Sequence, residues 1–236
     1  MLNLYVSILL LFQTLTPTAA SAEALKAPLD IAQIKNVSIT GEASRVEFTT
    51  TDTLPWSVAM TSIRSGWLSN WTSSWFSNAC ETASTMVVKD QALLIHVVNA
   101  PWLSLSDCEV RIRANLPKNS DVSIEQHALY ARLSGDYRRI RVDGNAADFA
   151  LDGYASSLDV TGDAVRTDIR LERTNNDETI LLNSHALDAS FSFGGDMAIS
   201  YAVNAKASFI DSKRANTPGA KPSIDIKSEF VRATIR

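Results

Sequence analysis

Ala131-Arg132-Leu133-Ser134-Gly135, Ile140-Arg141-Val142-Asp143-Gly144, Phe149-Ala150-Leu151-Asp152-Gly153 and Leu158-Asp159-Val160-Thr161-Gly162 are four copies of one pattern, their glycines nine residues apart. Each copy reads apolar, any, apolar, then Ser, Asp or Thr, then Gly. Alternation at period two puts the two apolar residues on one face of a short strand and the residue between them on the other. Glycine at the corner accepts a positive φ, and the Asp, Ser or Thr before it hydrogen-bonds the turn backbone. Four of the nine glycines in the chain stand in this register. Repetition of such a unit at fixed period predicts stacked short strands, because a strand this short buries too little alone to offset its ordering entropy.

The pattern extends outward from there. Val122-Ser123-Ile124 lies one period before Leu133, and Val37-Ser38-Ile39-Thr40-Gly41 with Val46-Glu47-Phe48 repeats it upstream. Downstream the spacing widens to 11 residues, from Val160 to Leu171 and Leu182. It continues through Ala189 to Phe193, Ile199 to Val203, Ile224 to Ile226 and Phe230 to Ile235. If two units make one flattened coil, Leu133, Leu151 and Ile169 line one wall and Val142 and Val160 the other, with coils about 4.8 Å apart. The expectation is an all-β chain: short strands stacked as a single-domain β-solenoid.

Residues 1–22 read as a secretory signal peptide. The apolar run Leu4 to Leu15 is too short to span a bilayer, and the small-x-small site Ala20-Ser21-Ala22 follows. The expected product is an exported domain over 23–236, periplasmic or secreted, with no transmembrane segment. A net charge of −4, with acids and bases interspersed, argues against a nucleic-acid partner. In an oxidising compartment Cys80 and Cys108 are expected to pair as a disulfide, with two separate buried thiols as the alternative.

Residues 54–108 interrupt the repeat as a Trp/Cys-rich insertion. Both cysteines and all five tryptophans (Trp56, Trp67, Trp71, Trp75 and Trp102) fall there. Trp67, Trp71 and Trp75 are spaced for one side of a helix, although their Ser, Asn and Thr neighbours form helix poorly. Met86 to Val88 and Leu93 to Val98 then resume as strands. The tryptophans serve either as a cap on an open solenoid end, the reading favoured here, or as a binding surface for a glycan or a protein partner.

Cys108-Glu109-Val110-Arg111-Ile112-Arg113-Ala114-Asn115-Leu116-Pro117, a polar turn, then Val122-Ser123-Ile124 opening the ladder resembles the putative-adhesin β-solenoid family, an exported bacterial domain family of unknown function. The resemblance is best over 93–203 and fails over the Trp/Cys segment. It implies a non-enzymatic, adhesin-like repeat domain and supplies no catalytic residues.

The remaining candidates have plainer readings. Asp143 and Asp152 precede corner glycines, so turn chemistry accounts for them. Gly194-Gly195-Asp196 is not repeated, so it is no calcium motif. Arg141 and Asp159 fall one coil apart and are expected to form an exposed ion pair within the local basic patch of Arg132, Arg138 and Arg139. His96, His127 and His185 lack metal-ligand spacing, and the sequence holds neither a nucleophile elbow nor a phosphate loop. No catalytic, cofactor or metal site is expected. The sequence reads as a structural or interaction module of the cell envelope, with Trp67, Trp71, Trp75 and Trp102 as candidate binding residues. Alternatives are a carbohydrate-binding or carbohydrate-active protein on a short β-helix, or an accessory protein that binds another envelope protein.

Overall fold

The computed structural model describes residues 29–65, 83–98 and 107–236. The expected leader and cleavage site lie outside them. The described residues are all-β, without helix. The strands are β1 (Leu29–Asp30), β2 (Asn36–Thr49), β3 (Ser57–Ser65), β4 (Thr85–Lys89), β5 (Ala92–Val97), β6 (Asp107–Asn115), β7 (Ser120–Leu171), β8 (Thr179–Phe193), β9 (Ser200–Ser212) and β10 (Ser223–Ile235). They join in one large sheet.

The decisive element is β7, 52 residues of unbroken extended chain. No flat sheet accommodates such a strand, and β7 instead meets itself at a step of 18 residues. A Cβ placed on Gly153 would lie 2.1 Å from the Gly135 carbonyl oxygen, and one on Gly162 would lie 2.1 Å from that of Gly144. Side chains repeat the step: His127 with Asn145 at 3.1 Å, Asn145 with Asp163 at 2.9 Å, Arg170 with Asp152 at 3.4 Å. Glycine is required at these corners because successive passes of backbone approach too closely for a side chain.

Parallel pairing carries the ladder beyond β7. Val37 stands opposite Val122 and Phe48 opposite Leu133, while Leu158 stands opposite Ile180 and Ile169 opposite Phe191. The two 11-residue spacings downstream of Val160 therefore add up to one longer pass, Val160 pairing with Leu182. The extra length is the 172–178 loop, where Glu178 is fully buried and accepts hydrogen bonds from the Thr174 hydroxyl (2.6 Å) and the Asn175 amide (2.5 Å).

Two arrangements differ from the sequence reading. β5, inside the expected 54–108 insertion, and β6, which begins at its end, together lay one more pass on the far side of β2, with Leu93 opposite Val37 and Ile112 opposite Val46. The period is hidden there because residues 98–106 separate its two halves. At the other end, β10 lies between β8 and β9. Ile224 pairs with both Ile180 and Tyr201, so the last strand in sequence is not the last in space.

The inward faces of all passes fuse into one core. Ile39, Ile95, Ile124, Val142 and Val160 are almost fully buried, as are Phe48, Leu133, Leu151, Ile169 and Phe191. Each such side chain contributes about 1.5–3 kcal/mol of transfer free energy. Leu133, Leu151 and Ile169, and Val142 with Val160, occupy the buried positions expected of them.

Candidate functional site

Trp67, Trp71, Trp75, Trp102 and Cys80 lie outside the described residues, so the sequence-predicted binding cluster and the Cys80–Cys108 pairing have no geometry here. Trp56 is described, at 39% exposure beside the exposed Leu54. Of the corner aspartates, Asp152 meets Arg170 across the 18-residue step, and Asp143 lies along a polar groove with Gly144 and Asn145. The expected Arg141–Asp159 ion pair does not form. Arg132 bonds Asp148 at 2.8 Å and Arg138 bonds Asp121 at 2.6 Å, which disperses the basic patch into local pairs. Among the described residues no group of three or more His, Cys, Asp or Glu could hold a metal ion, and no helix is long and apolar enough to cross a membrane.

What the structure does assemble is a groove of about 1,100 Å³ that runs across the passes along one bend of the ladder. Register builds it. Ala43 stands opposite Ala128, Ala164 opposite Ala186, Ala186 opposite Phe230, and Phe230 opposite Ala207; Ala146 lies between Ala128 and Ala164 at the 18-residue step. Small residues recurring at one position leave a trench where larger ones would fill the bend. Beside this floor runs an apolar row of Leu129, Ala147, Val165, Leu187 and Val231. Along the other side runs a polar row in which Arg45 faces Tyr130, Arg166 faces Asp188 and Asp188 faces Arg232.

The two halves of the polar row differ. Near β2 it is locked. The Tyr130 ring is held between the Arg45 and Arg132 guanidinium groups, each 4.0 Å from its centroid. Arg45 and Arg111 both donate to Glu109, at 3.0 and 2.9 Å. Burial opposes the charge of Glu109, but the hydrogen bonds from Arg111 and Arg45 outweigh it and hold this carboxyl below the usual glutamate range. Toward β9, Arg166, Asp188 and Arg232 form no ion pair within 4.0 Å among the described residues. Phe209 and Phe230 stand 65% and 53% exposed at that end. This arrangement suits binding: an apolar trench, aromatic rings at one end, and charges of both signs without partners beside it.

The sequence signal for this groove is a register of small residues. Ala43, Ala128, Ala146, Ala164, Ala186 and Ala207 fall at one register position, but they lie between the strand units rather than within them.

No protein-family model matches this chain, and no curated protein matches it. Solved structures are similar to it at low identity. A "putative adhesin" of Bacteroides fragilis is 15% identical, with 88% of this chain and 94% of that one covered and a TM-score of 0.45. A "putative cell adhesion protein" of Clostridium sporogenes is 12% identical, with 86% and 92% covered and a TM-score of 0.33. A "putative lipid binding protein" of Parabacteroides distasonis is 10% identical, with 89% and 95% covered and a TM-score of 0.26.

Proposed function

We propose that this chain is an exported, non-enzymatic interaction module of the cell envelope, adhesin-like in use, wound as a β-solenoid over residues 23–236. The 18-residue step within β7, continued by parallel pairing to β2 and β8, supports the winding. The leader-like segment 1–22 supports export. In that compartment Cys80 and Cys108 form a disulfide, which ties the Trp-rich segment to the start of β6.

The observation that carries the interaction role is the alanine-floored groove. Its apolar floor, its exposed Phe209 and Phe230, and the charges of Arg166, Asp188 and Arg232 form an extended recognition surface across successive passes. Such a surface fits an elongated partner with apolar groups along its length and charges on one side, as an envelope protein segment presents.

The test is crosslinking in an envelope fraction, with wild type compared with Ala146→Trp, which fills the floor of the groove. Recovery of the same partner should fall at least about tenfold while circular dichroism and melting stay unchanged. Equal recovery from a correctly folded variant would place the interaction elsewhere.

A further inference from the structure

We infer that β9 is a self-association edge: it pairs antiparallel with β9 of a second copy of this chain, about a two-fold axis at the bend between Lys206 and Ala207. The proposal does not depend on what fills the groove.

The argument starts from which backbone groups are spoken for. Among the described residues β9 pairs only with β10. In a parallel ladder alternate residues direct their N–H and C=O to the same neighbour. The Ser200 amide bonds the Pro222 carbonyl just before β10, so Tyr201 points the other way, and its N–H and C=O are met there by the Asn216 side chain at 3.0 and 2.8 Å. Val203 and Ala205 follow Tyr201 in that outward phase. Past the bend, Lys213 donates to the Ile235 carbonyl on β10, which turns residues 211 and 213 inward and leaves Ser208, Ile210 and Ser212 outward.

These outward-bonding residues also aim their side chains at the core. Tyr201, Val203, Ala205 and Ile210 pack against it only in part, because no further pass covers them. The strand is therefore self-complementary. With the axis at the bend, Val203 falls opposite Ile210 of the second copy and Ala205 opposite its Ser208. Each such residue offers one N–H and one C=O to the other. The apolar faces of both copies continue into each other across the join.

The outer faces agree. Asn204 falls opposite Phe209 of the second copy, Ala202 opposite its Asp211 and Lys206 opposite its Ala207; the two Lys206 flank the axis, each paired within its own copy to Glu229 at 2.7 Å. Phe209, 65% exposed in one copy, gains a neighbour. Asn216 already satisfies Tyr201 and so limits the pairing to the central stretch. A two-fold contact of this kind closes on itself and leaves no edge for further growth.

Sedimentation equilibrium of the purified full chain, read alongside disulfide trapping, tests the pairing. Wild type should be a dimer in reversible exchange with monomer. Val203→Pro removes an outward N–H without touching the bonds to β10 and should weaken association at least about tenfold. Should that variant misfold, register still decides. Asn204→Cys chains mixed with Phe209→Cys chains should give a mass-identified 204–209 crosslink between copies, and Asn204→Cys alone should give none to itself. A wild-type monomer at every concentration, a dimer indifferent to Val203→Pro, or a 204–204 crosslink would each overturn the proposal.

Discussion

The ladder has two ends, and they are built differently. At one end, the pass made by β5 and β6 is covered by strands that reverse direction. Nine residues of β3 lie antiparallel on β6, five residues of β4 lie antiparallel on β5, and β1 lies against β3. These antiparallel strands are short: β1 pairs with two residues of β3, and β4 pairs with β5 alone among the described residues, so the edge at this end is broken into short pieces rather than one long strand. There Val58, Ile95 and Ile112 are almost wholly buried. At the other end β9 offers thirteen residues of edge, with Asn216 as its local plug, and its apolar side chains are only partly covered. The difference teaches that stacking supplies the middle of such a molecule and leaves its ends to be solved separately. One carries short antiparallel strands of the same chain; the other is matched in pattern to a second copy.

The largest effect expected from probing this comparison is a matched pair of core truncations. Phe48→Ala removes a side chain only 1% exposed, on the pass next to the covered end, and should cost about 3–5 kcal/mol in urea denaturation. Ile210→Ala removes a partly covered side chain on the open strand and should cost about 1 kcal/mol in the monomer. If the Ile210 cost approached that of Phe48 at high protein concentration and fell on dilution, the open end would be covered by association. Equal costs at all concentrations would break the contrast between the ends.

Glycines sharpen it further. Gly41 has φ +117°, and an added Cβ would lie 2.0 Å from the Val97 carbonyl oxygen, where β2 meets β5 beside the covered end. Gly41→Ala should therefore cost about 1–3 kcal/mol in backbone strain, with the clash in addition. Gly219 has φ +82° but nothing within 4 Å, in the loop that leads from β9 into β10. Gly219→Ala should cost about 1 kcal/mol, from conformation alone. Thermal melts that ranked the two variants the other way round would mean that β2 and β5 do not pack as described.

The middle was legible in the sequence and the ends were not, for a physical reason. Leu133, Val142, Leu151 and Val160 advertise themselves because each repeats its neighbour's environment. β5 and β6 do not, because residues 98–106 split one pass into halves with no common period. The order β8, β10, β9 was hidden as well: Ile199 to Val203 and Ile224 to Ile226 have the same strand pattern, and nothing local says which lies outermost. The groove escaped for another reason. Alanine is small enough to read as filler, and only when Ala43, Ala128, Ala146 and Ala164 are placed in register does their smallness become a trench. The tryptophans that drew the sequence reading fall outside the described residues, apart from Trp56, so that candidate site stands as an expectation.

The smallest predicted effect separates the ends by acid. Glu109, near the covered end, is partly sheltered, and the guanidinium groups of Arg111 and Arg45 hold its carboxyl below the ordinary glutamate value of 4.5 despite the burial that opposes its charge. A carboxyl with a lowered folded-state value binds its proton more readily in the unfolded chain. Its stabilisation is therefore complete above about pH 4.5 and is lost as pH falls below that toward the folded value. Glu109→Gln should lower stability at neutral pH and flatten the decline between wild type and variant in that acid window. Near the open end, the Lys206 hydrogen bond lowers Glu229 likewise, but that pair is exposed and screened by solvent. Glu229→Gln should therefore leave the acid limb of denaturation nearly unchanged, and less changed still in high salt. Denaturation midpoints across the acid range for both variants decide it: a larger effect from Glu229 than from Glu109 would place the stronger electrostatic lock at the end where the structure has the weaker one.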